Sequence, residues 1–102
     1  KNTTLQIPVE RNDNKHAYYV YVVAHPNRDE VMDNLAKKDI HLNIIYPFPI
    51  HTMKAYKHFV TNPCTHLKKT EEESKKIFSL PIYPTLTDEE QNSVIRELKK
   101  LI

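Results

Sequence analysis

The sequence contains no glycine, and this absence excludes several kinds of phosphate site. Glycine-rich phosphate loops, Walker motifs and dinucleotide-binding fingerprints all need glycine at fixed positions. There is one cysteine, Cys64, so an internal disulfide is excluded and nothing indicates a secreted disulfide scaffold. No apolar run approaches the roughly 20 residues that span a bilayer, and the chain does not open with a signal-peptide pattern. These absences predict a reducing, cytoplasmic setting.

The chain is long enough for one domain with a modest core, at 102 residues, but too short for two. Its formal net charge of +2 is too small to indicate a nucleic-acid or membrane partner. Four lysine pairs each lie near Asp or Glu, which favours solvated helix faces over a phosphate groove. Because the first residue is Lys rather than Met, we expect a piece cut from a longer protein.

Several segments have the composition or alternation of strands. Residues 16–24, HAYYVYVVA, are aromatic and β-branched and predict a central strand covered on both faces. Weaker patterns predict an edge strand at 3–9, where Pro8 limits pairing, and a second strand at 40–45, where apolar residues alternate. Residues 80–84 are predicted to be extended and could form a short third strand.

Three helices are predicted from capping-box spacing, in which Asn or Thr precedes Glu by three residues. The pairs are Asn27 with Glu30, Thr70 with Glu73, and Thr87 with Glu90, which place helices at about 28–38, 71–78 and 88–101. The side chains predicted to face the core are Val31, Met32, Leu35, Ile77, Phe78, Val94, Ile95, Leu98 and Leu101. The element order predicts an α+β fold, a small antiparallel or mixed sheet of two to four strands covered by helices.

Six histidines raise the question of a metal site, but their spacing does not favour one. His51, His58 and His66 are seven and eight residues apart, unlike the short ligand pairs of zinc sites. Scattered surface histidines are the better interpretation. Cys64 has no local base to activate it as a nucleophile, so we interpret it as a loop cysteine.

Residues 44–56, IIYPFPIHTMKAY, are the segment most suggestive of a ligand site. Pro47 and Pro49 fix their own φ and push the preceding residues into extended geometry. The chain should therefore leave the 40–45 strand as a stiff arm that carries Tyr46 and His51. Rigid loops with polar aromatic tips position ligands well. Physical reasoning alone supports a second interpretation equally well, in which the loop only covers a sheet edge.

Three segments, taken in order, resemble the C-terminal small domain of the DegT/DnrJ/EryC1/StrS family of pyridoxal-phosphate-dependent sugar aminotransferases. They are HAYYVYVV, NRDEVMDNLAKKDIHLNIIYPFPIHTMKAY and EEESKKIFSLPIYPTLTDEEQNSVIRELKKLI. The second resembles a family pattern of the form H-Y-P-x-P-L/I-H…A-Y, and the third a pattern S-L-P-L/I-Y/F-P-x-L-T-x-E-x-Q. The resemblance covers about residues 16–102, and residues 1–15 lead into the domain.

The resemblance implies one domain of a fold-type I aminotransferase whose large domain lies outside this chain. Such enzymes transfer an amino group, usually from glutamate, to a keto group of a nucleotide-linked sugar, as in polysaccharide biosynthesis. Pyridoxal phosphate and its Schiff-base lysine are expected in the large domain. The present chain should close the substrate cleft and be inactive alone. The resemblance further implies a homodimeric parent, while the charge and the lack of long apolar runs lead us to expect no nucleic-acid or membrane partner.

The resemblance also implies the substrate-binding residues. Tyr46 and His51 match the tyrosine and second histidine of the family's substrate-facing arm, and Asn43 and Tyr19 are weaker candidates. Hydrogen bonding and stacking against the sugar or its nucleotide are the expected roles. No catalytic, cofactor-binding or metal-binding residue is expected in this chain.

Three positions depart from the family pattern. Ile45 stands where many members have histidine, which removes one polar contact to the substrate. Asp39 and Asn43 stand where glycine is common, and both residue types tolerate left-handed backbone geometry better than most.

An alternative function remains open, a non-catalytic interaction or regulatory domain on the same fold. A nucleic-acid binder would need the lysine pairs to converge on one face, and their dispersal among acidic residues argues against it. Without its large domain, the chain should expose an apolar face around Tyr19, Tyr21 and the last helix. We therefore expect it to self-associate.

Overall fold

A computed structural model describes residues 4–59 and 67–102 of the chain. It contains a two-stranded antiparallel sheet in which strand β1, Tyr21–Ala24, pairs with β2, Ile77–Leu80. Three helices accompany the sheet: α1, Arg28–Ala36; α2, Lys68–Ser74; and α3, Asp88–Leu98. Two short 3₁₀ turns, Ile50–Thr52 and Lys57–Phe59, lie between α1 and α2. The predicted α+β class is confirmed.

The sheet is extended on both sides by single bridges. Gln6 exchanges backbone hydrogen bonds of 2.8 and 3.0 Å with Ala24, which places the leading segment beside β1. Asn43 forms a bridge with Ser79 and lies beside β2. The predicted strands at 3–9 and 40–45 thus reduce, within the described residues, to one bridge each. They still complete a layer of four neighbouring segments.

The strand predicted at 16–24 is shorter than expected and begins only at Tyr21. Tyr18 has a φ of 49°, a left-handed conformation that a bulky residue adopts rarely and that cannot continue a strand. Its N–H donates to His16 Nδ1 at 2.8 Å, and its ring stacks on Tyr21 with centroids 5.9 Å apart. These local contacts turn the chain before β1.

The helix predicted at 71–78 is displaced toward the N-terminus. The observed α2 runs over Lys68–Ser74, so Thr70 lies inside it and does not cap it. Ile77 and Phe78 belong to β2 instead, and the extended segment expected at 80–84 contributes only Leu80 to that strand. Pairing with β1 explains the difference, because the β-branched and aromatic residues of β2 fit a sheet better than a helix end.

The other two helices lie close to their predicted positions. At α3 the capping box is confirmed: Glu90 N–H donates to Thr87 Oγ1 at 3.2 Å, and Thr87 N–H donates to Glu90 Oε2 at 2.8 Å. At α1 the side chain of Asn27 makes no capping hydrogen bond, contrary to prediction. Asp39, just beyond α1, has a φ of 60°, a left-handed geometry that glycine adopts readily and that Asp tolerates better than most residues.

The core forms where the sheet meets α1 and α3. Its buried members are Val23, Val31, Leu35, Phe78 and Leu98, and the alternating apolar residues of 40–45 pack against them partly buried. Ile95 was expected among them, but it is 39% exposed. None of the described helices is long and apolar enough to cross a membrane.

Candidate functional site: the arm and helix α2

The arm over residues 44–56 starts at the edge of the sheet. The Asn43–Ser79 bridge fixes the chain immediately before it, and Ile44 packs partly buried against the core. Pro49 is extended, with φ −60° and ψ 140°, and it precedes the Ile50–Thr52 turn. The N–H and the hydroxyl of Thr52 both donate to the Pro49 carbonyl, at 3.0 and 2.7 Å. A strand-edge bridge, two prolines and a closed turn therefore shape the arm.

Two depressions meet at Tyr46. The smaller one, of about 140 Å³, is lined by residues on either side of the sheet edge: Tyr19, Val20, Val22, Ile45, Tyr46, Ile77, Phe78 and Ser79. The larger one, of about 460 Å³, has the arm as one wall and α2 as the other: Tyr46, Phe48, Pro49, Lys69, Thr70, Glu73, Ser74 and Ile77. Tyr46 and Ile77 border both, so the two depressions form one continuous surface.

Tyr46 and Tyr19 come together on this surface. Both border the smaller depression, and their side chains remain largely exposed, at 74% and 89%. An exposed phenol offers a ring face for stacking and a hydroxyl that both donates and accepts hydrogen bonds. The pair can therefore hold a ligand that has a flat ring or several hydroxyl groups.

Asn43 borders neither depression, although it lies close in sequence to Tyr46. Its backbone N–H and carbonyl are both engaged by Ser79 in the bridge, and its side chain is exposed. The structure therefore separates Asn43 from the two tyrosines, and its contribution is to anchor the start of the arm.

His51 faces α2 and does not border the depressions beside Tyr46. Its Nε2 atom lies 2.8 Å from Glu71 Oε1, and its side chain is only 16% exposed. Glu71 was missed by the sequence analysis. It is one of three consecutive glutamates, EEE. The sequence does not show which of the three is simply solvated on the helix surface and which contacts a histidine twenty residues away.

The larger depression also carries both signs of charge on its α2 wall. Lys69 is exposed there, and Glu73 makes an ion pair of 3.1 Å with Lys76. Lys69 can therefore attract an anionic group such as a phosphate, whereas the Glu73 charge is partly neutralised by Lys76, just beyond α2.

The histidines are not all at the surface, contrary to the sequence interpretation. His25 is 5% exposed, accepts from the Asn27 N–H at its Nδ1 atom and lies 2.7 Å from Thr4 Oγ1 through Nε2. Since Nδ1 accepts, Nε2 carries the proton and donates to Thr4. Across residues 4–59 and 67–102 no group of three or more His, Cys, Asp or Glu could hold a metal. Cys64 and His66 lie outside the described residues.

A separate apolar groove of about 440 Å³ lies at the other side of the sheet, beside α3. It is lined mainly by aliphatic and aromatic side chains: Leu5, Ile7, Tyr21, Leu80, Pro81, Ile82, Leu86, Val94, Ile95, Leu98 and Ile102. The expected apolar face around Tyr21 and the last helix is present. Tyr19, expected in the same face, instead borders the depression with Tyr46.

The resolved pKa shifts concern groups away from the arm. The negative charge of Glu10 raises the pKa of the Tyr18 phenol. Hydrogen bonds from Thr87 lower the pKa of Glu90, and a hydrogen bond from Lys100, with its charge, lowers the pKa of Glu97. These shifts bear on the stability of the chain before β1 and of α3, and they do not identify an acid or base at the depressions.

The arrangement at the arm is suited to binding. Its exposed groups are the Tyr46 and Tyr19 phenols, the Phe48 ring and the Lys69 ammonium. Among the described residues that border the depressions, none pairs a nucleophile with a positioned base. Stacking, hydrogen bonding and attraction of an anion are what these side chains can provide.

Comparison with known proteins adds close relatives. The chain is 43% identical over 99 residues to the dTDP-3-amino-3,4,6-trideoxy-alpha-D-glucose transaminase of Micromonospora megalomicea subsp. nigra, covering 96% of this chain and 26% of the relative. It is 28% identical over 91 residues to a pleiotropic regulatory protein of Geobacillus stearothermophilus, covering 89% of this chain and 24% of that protein. The chain thus spans about a quarter of the length of these curated relatives.

The fold agrees with that of a solved relative. The crystal structure of DesV from S. venezuelae, in complex with a ketimine intermediate, matches with a TM-score of 0.88 and 26% identity over 97% of this chain and 26% of that one. The family model described as the DegT/DnrJ/EryC1/StrS aminotransferase family matches residues 1–99, nearly the whole chain. The chain therefore belongs to the DegT/DnrJ/EryC1/StrS aminotransferase family.

Proposed function

We propose that this chain is the C-terminal small domain of an aminotransferase that transfers an amino group, from glutamate, to a keto group of a nucleotide-linked sugar. The observation that carries this proposal is the 43% identity, over nearly the whole chain, to a protein named as a dTDP-sugar transaminase. The depression beside Tyr46 supports it, because its phenols, ring and ammonium suit a ligand that combines hydroxyls, a flat base and phosphates.

In this proposal, the arm binds the substrate and takes no part in the proton transfers. Tyr46 and Tyr19 hydrogen-bond or stack on the sugar or its nucleotide. His51 and Asn43 contribute by supporting the arm, since His51 faces α2 and Asn43 is hydrogen-bonded to the sheet. The domain thereby orients the keto sugar and excludes water from one side of the cleft.

The cofactor of the proposed reaction is pyridoxal phosphate, which serves as an electron sink when bound. Its site needs a fixed lysine that forms the Schiff base and a cradle for the phosphate. The described residues beside Tyr46 do not fit it: Lys69, the lysine that borders the depression, is exposed on α2. We therefore assign the cofactor to the large domain of the parent and expect this chain to be inactive alone.

The parent is further proposed to be a cytoplasmic homodimer. The apolar groove beside α3 supports a large contact area with another part of the assembly, because eleven of its lining side chains are aliphatic, aromatic or proline.

An absorption spectrum of the full-length parent tests the proposed activity. With pyridoxal phosphate bound, a Schiff-base band should appear, and glutamate should convert it to the pyridoxamine form. A band indifferent to every amino donor, or no band, would contradict the proposed transamination. Addition of a dTDP-linked keto sugar should then restore the original band.

A second function has one observation in its favour, the 28% identity to a pleiotropic regulatory protein. In that case the same fold would serve as a non-catalytic interaction or regulatory domain. The same absorption spectrum distinguishes the two functions, because a non-catalytic regulatory protein should show no amino-group exchange with glutamate.

A further inference from the structure

One polar contact ties the arm to helix α2. His51 lies on the 3₁₀ turn Ile50–Thr52 within the arm, and Glu71 lies in the middle of α2. Their Nε2 and Oε1 atoms are 2.8 Å apart, and the side chains are 16% and 44% exposed. A half-buried, short contact between a histidine and a carboxylate is stronger than an exposed one, because less water competes for both groups.

The pair also determines which ring nitrogen of His51 carries a proton. An ionised carboxylate only accepts hydrogen bonds, so the contact requires a proton on Nε2. In the neutral imidazole, Nδ1 is then left as an acceptor. Among the described residues nothing donates to His51 Nδ1, in contrast to His25, whose Nδ1 accepts from the Asn27 N–H.

The same contact links the two elements that form the walls of the larger depression. One wall of that depression is the arm, with Tyr46, Phe48 and Pro49, and the other is α2, with Lys69 and Thr70. The prolines stiffen the arm along its own length but do not attach it to α2. The His51–Glu71 contact joins the two walls, so it fixes the position of the arm relative to the helix.

We propose that Glu71 is a positioning residue for the arm. Its carboxylate holds His51 in the form protonated at Nε2 and keeps the arm and α2 at the spacing that the substrate requires. The identity of that substrate, a nucleotide-linked sugar, rests on the proposed function. The attachment of the arm by Glu71 does not, because it concerns contacts within this chain.

Nitrogen-15 NMR of the histidine rings in the 102-residue chain tests the proposal directly. At alkaline pH, where imidazoles are neutral, wild-type His51 should be protonated at Nε2 and bare at Nδ1. Glu71→Ala should give a mixture of the two tautomers. Glu71→Gln should retain the wild-type form, because its amide oxygen still accepts. Glu72→Ala is the matched control: Glu72 is the exposed neighbour in α2 and should leave the His51 signals unchanged.

Amide hydrogen exchange provides a second test, which measures how firmly the arm is held. The Thr52 N–H, which closes the turn beside His51, should exchange about three- to tenfold faster in Glu71→Ala than in the wild type, as expected for loss of a partly exposed charged hydrogen bond. Glu72→Ala should exchange at the wild-type rate.

Two results would overturn the proposal. One is a proton on Nδ1 of wild-type His51, which needs no variant and so holds even if Glu71→Ala fails to fold. The other is an unchanged tautomer and exchange rate in Glu71→Ala. Neither measurement uses cofactor or sugar, so failure of the proposed aminotransferase function would be seen separately, in the absorption spectrum of the parent.

Discussion

Asn43 and Ser79 form an antiparallel bridge in which Ser79 N–H donates to the Asn43 carbonyl at 2.7 Å and Asn43 N–H donates back at 3.4 Å. Ser79 also lies opposite Val22 in the register of the sheet, so β2 has a neighbouring segment on both edges at this residue, while its N–H and carbonyl both point to Asn43. Tyr46 therefore lies only three residues after a backbone bridge to the central strand β2. A stable base of this kind is what a substrate-facing loop needs.

Tyr46 should contribute to substrate affinity more than to turnover. In the full-length parent, Tyr46→Ala should raise KM for the nucleotide-linked sugar about tenfold, which corresponds to loss of one hydrogen bond of about 1.4 kcal/mol. The value of kcat should change little, because the proposed contact is equally present before and during reaction. Steady-state kinetics measures both.

Tyr56→Ala is the control for this experiment. Tyr56 lies at the far end of the arm, is 47% exposed and does not border either depression. It should leave KM for the sugar unchanged. An equal rise in KM for both variants would indicate a general loss of arm structure and would count against a contact by Tyr46.

Phe78 should be the most important single side chain for stability. It is 1% exposed and belongs to the core cluster, so Phe78→Ala should lower the free energy of unfolding by about 3–5 kcal/mol. Phe59→Ala, at a residue 71% exposed, should change it by less than about 0.5 kcal/mol. Urea titration followed by circular dichroism compares the two, and similar losses would contradict the core as described.

The capping box should make stability depend on acid pH. Hydrogen bonds from Thr87 lower the pKa of Glu90 in the folded state, so the charged form favours folding. This contribution is complete above the ordinary glutamate pKa of about 4.3 and is lost as the pH falls through the lowered folded value. Unfolding in urea at neutral and acid pH should therefore show a smaller acid-induced loss in Glu90→Gln than in the wild type.

Gln is chosen because its amide oxygen can still accept from the Thr87 N–H without titrating. Glu89→Gln is the control, since Glu89 lies in the same first turn but makes no side-chain hydrogen bond with the described residues. Its acid-induced loss should match the wild type. An acid dependence that is the same in all three proteins would exclude the capping box as a source.

The apolar groove beside α3 should make the isolated chain self-associate. Sedimentation velocity at increasing concentration should show dimers or larger species, because aliphatic side chains such as Ile82 and Ile95 are exposed there. Ile95→Lys should weaken association by placing a charge in the groove. Asn92→Lys adds the same charge to α3 outside the groove and should have little effect. A monomer at high concentration would contradict this prediction.

The sequence correctly predicted those elements that depend only on residues close together in the chain. The capping box of α3 depends on Thr87 and Glu90 alone, and both the spacing and the bonds agree. It predicted Val31 and Leu35 on the buried face of α1 for the same reason, since helical periodicity places them together. Element order and class followed from such local patterns.

Most errors occurred where contacts between residues far apart in the sequence determine the structure. Residues 77–80 were assigned partly to a helix because their pairing with β1 is not visible in local sequence. The strand at 16–24 was predicted too long for a local reason, because its strand-like composition conceals the left-handed turn at Tyr18, which contacts His16 and Tyr21. At the candidate site, Tyr46 and Tyr19 were each named as candidates, and the structure shows that they border the same depression. Glu71 could not be found without the contact to His51.

The pairing of β1 with β2 also has a consequence for the order of folding. Ala24 and Ile77 are direct partners although about fifty residues separate them, a long loop whose closure is entropically costly and slows formation of the sheet. The arm lies inside this loop, and its anchor at Asn43 pairs with Ser79 of the later strand. During folding, the arm therefore acquires its anchor only once Asn43 has met β2, the last strand of the chain to be made.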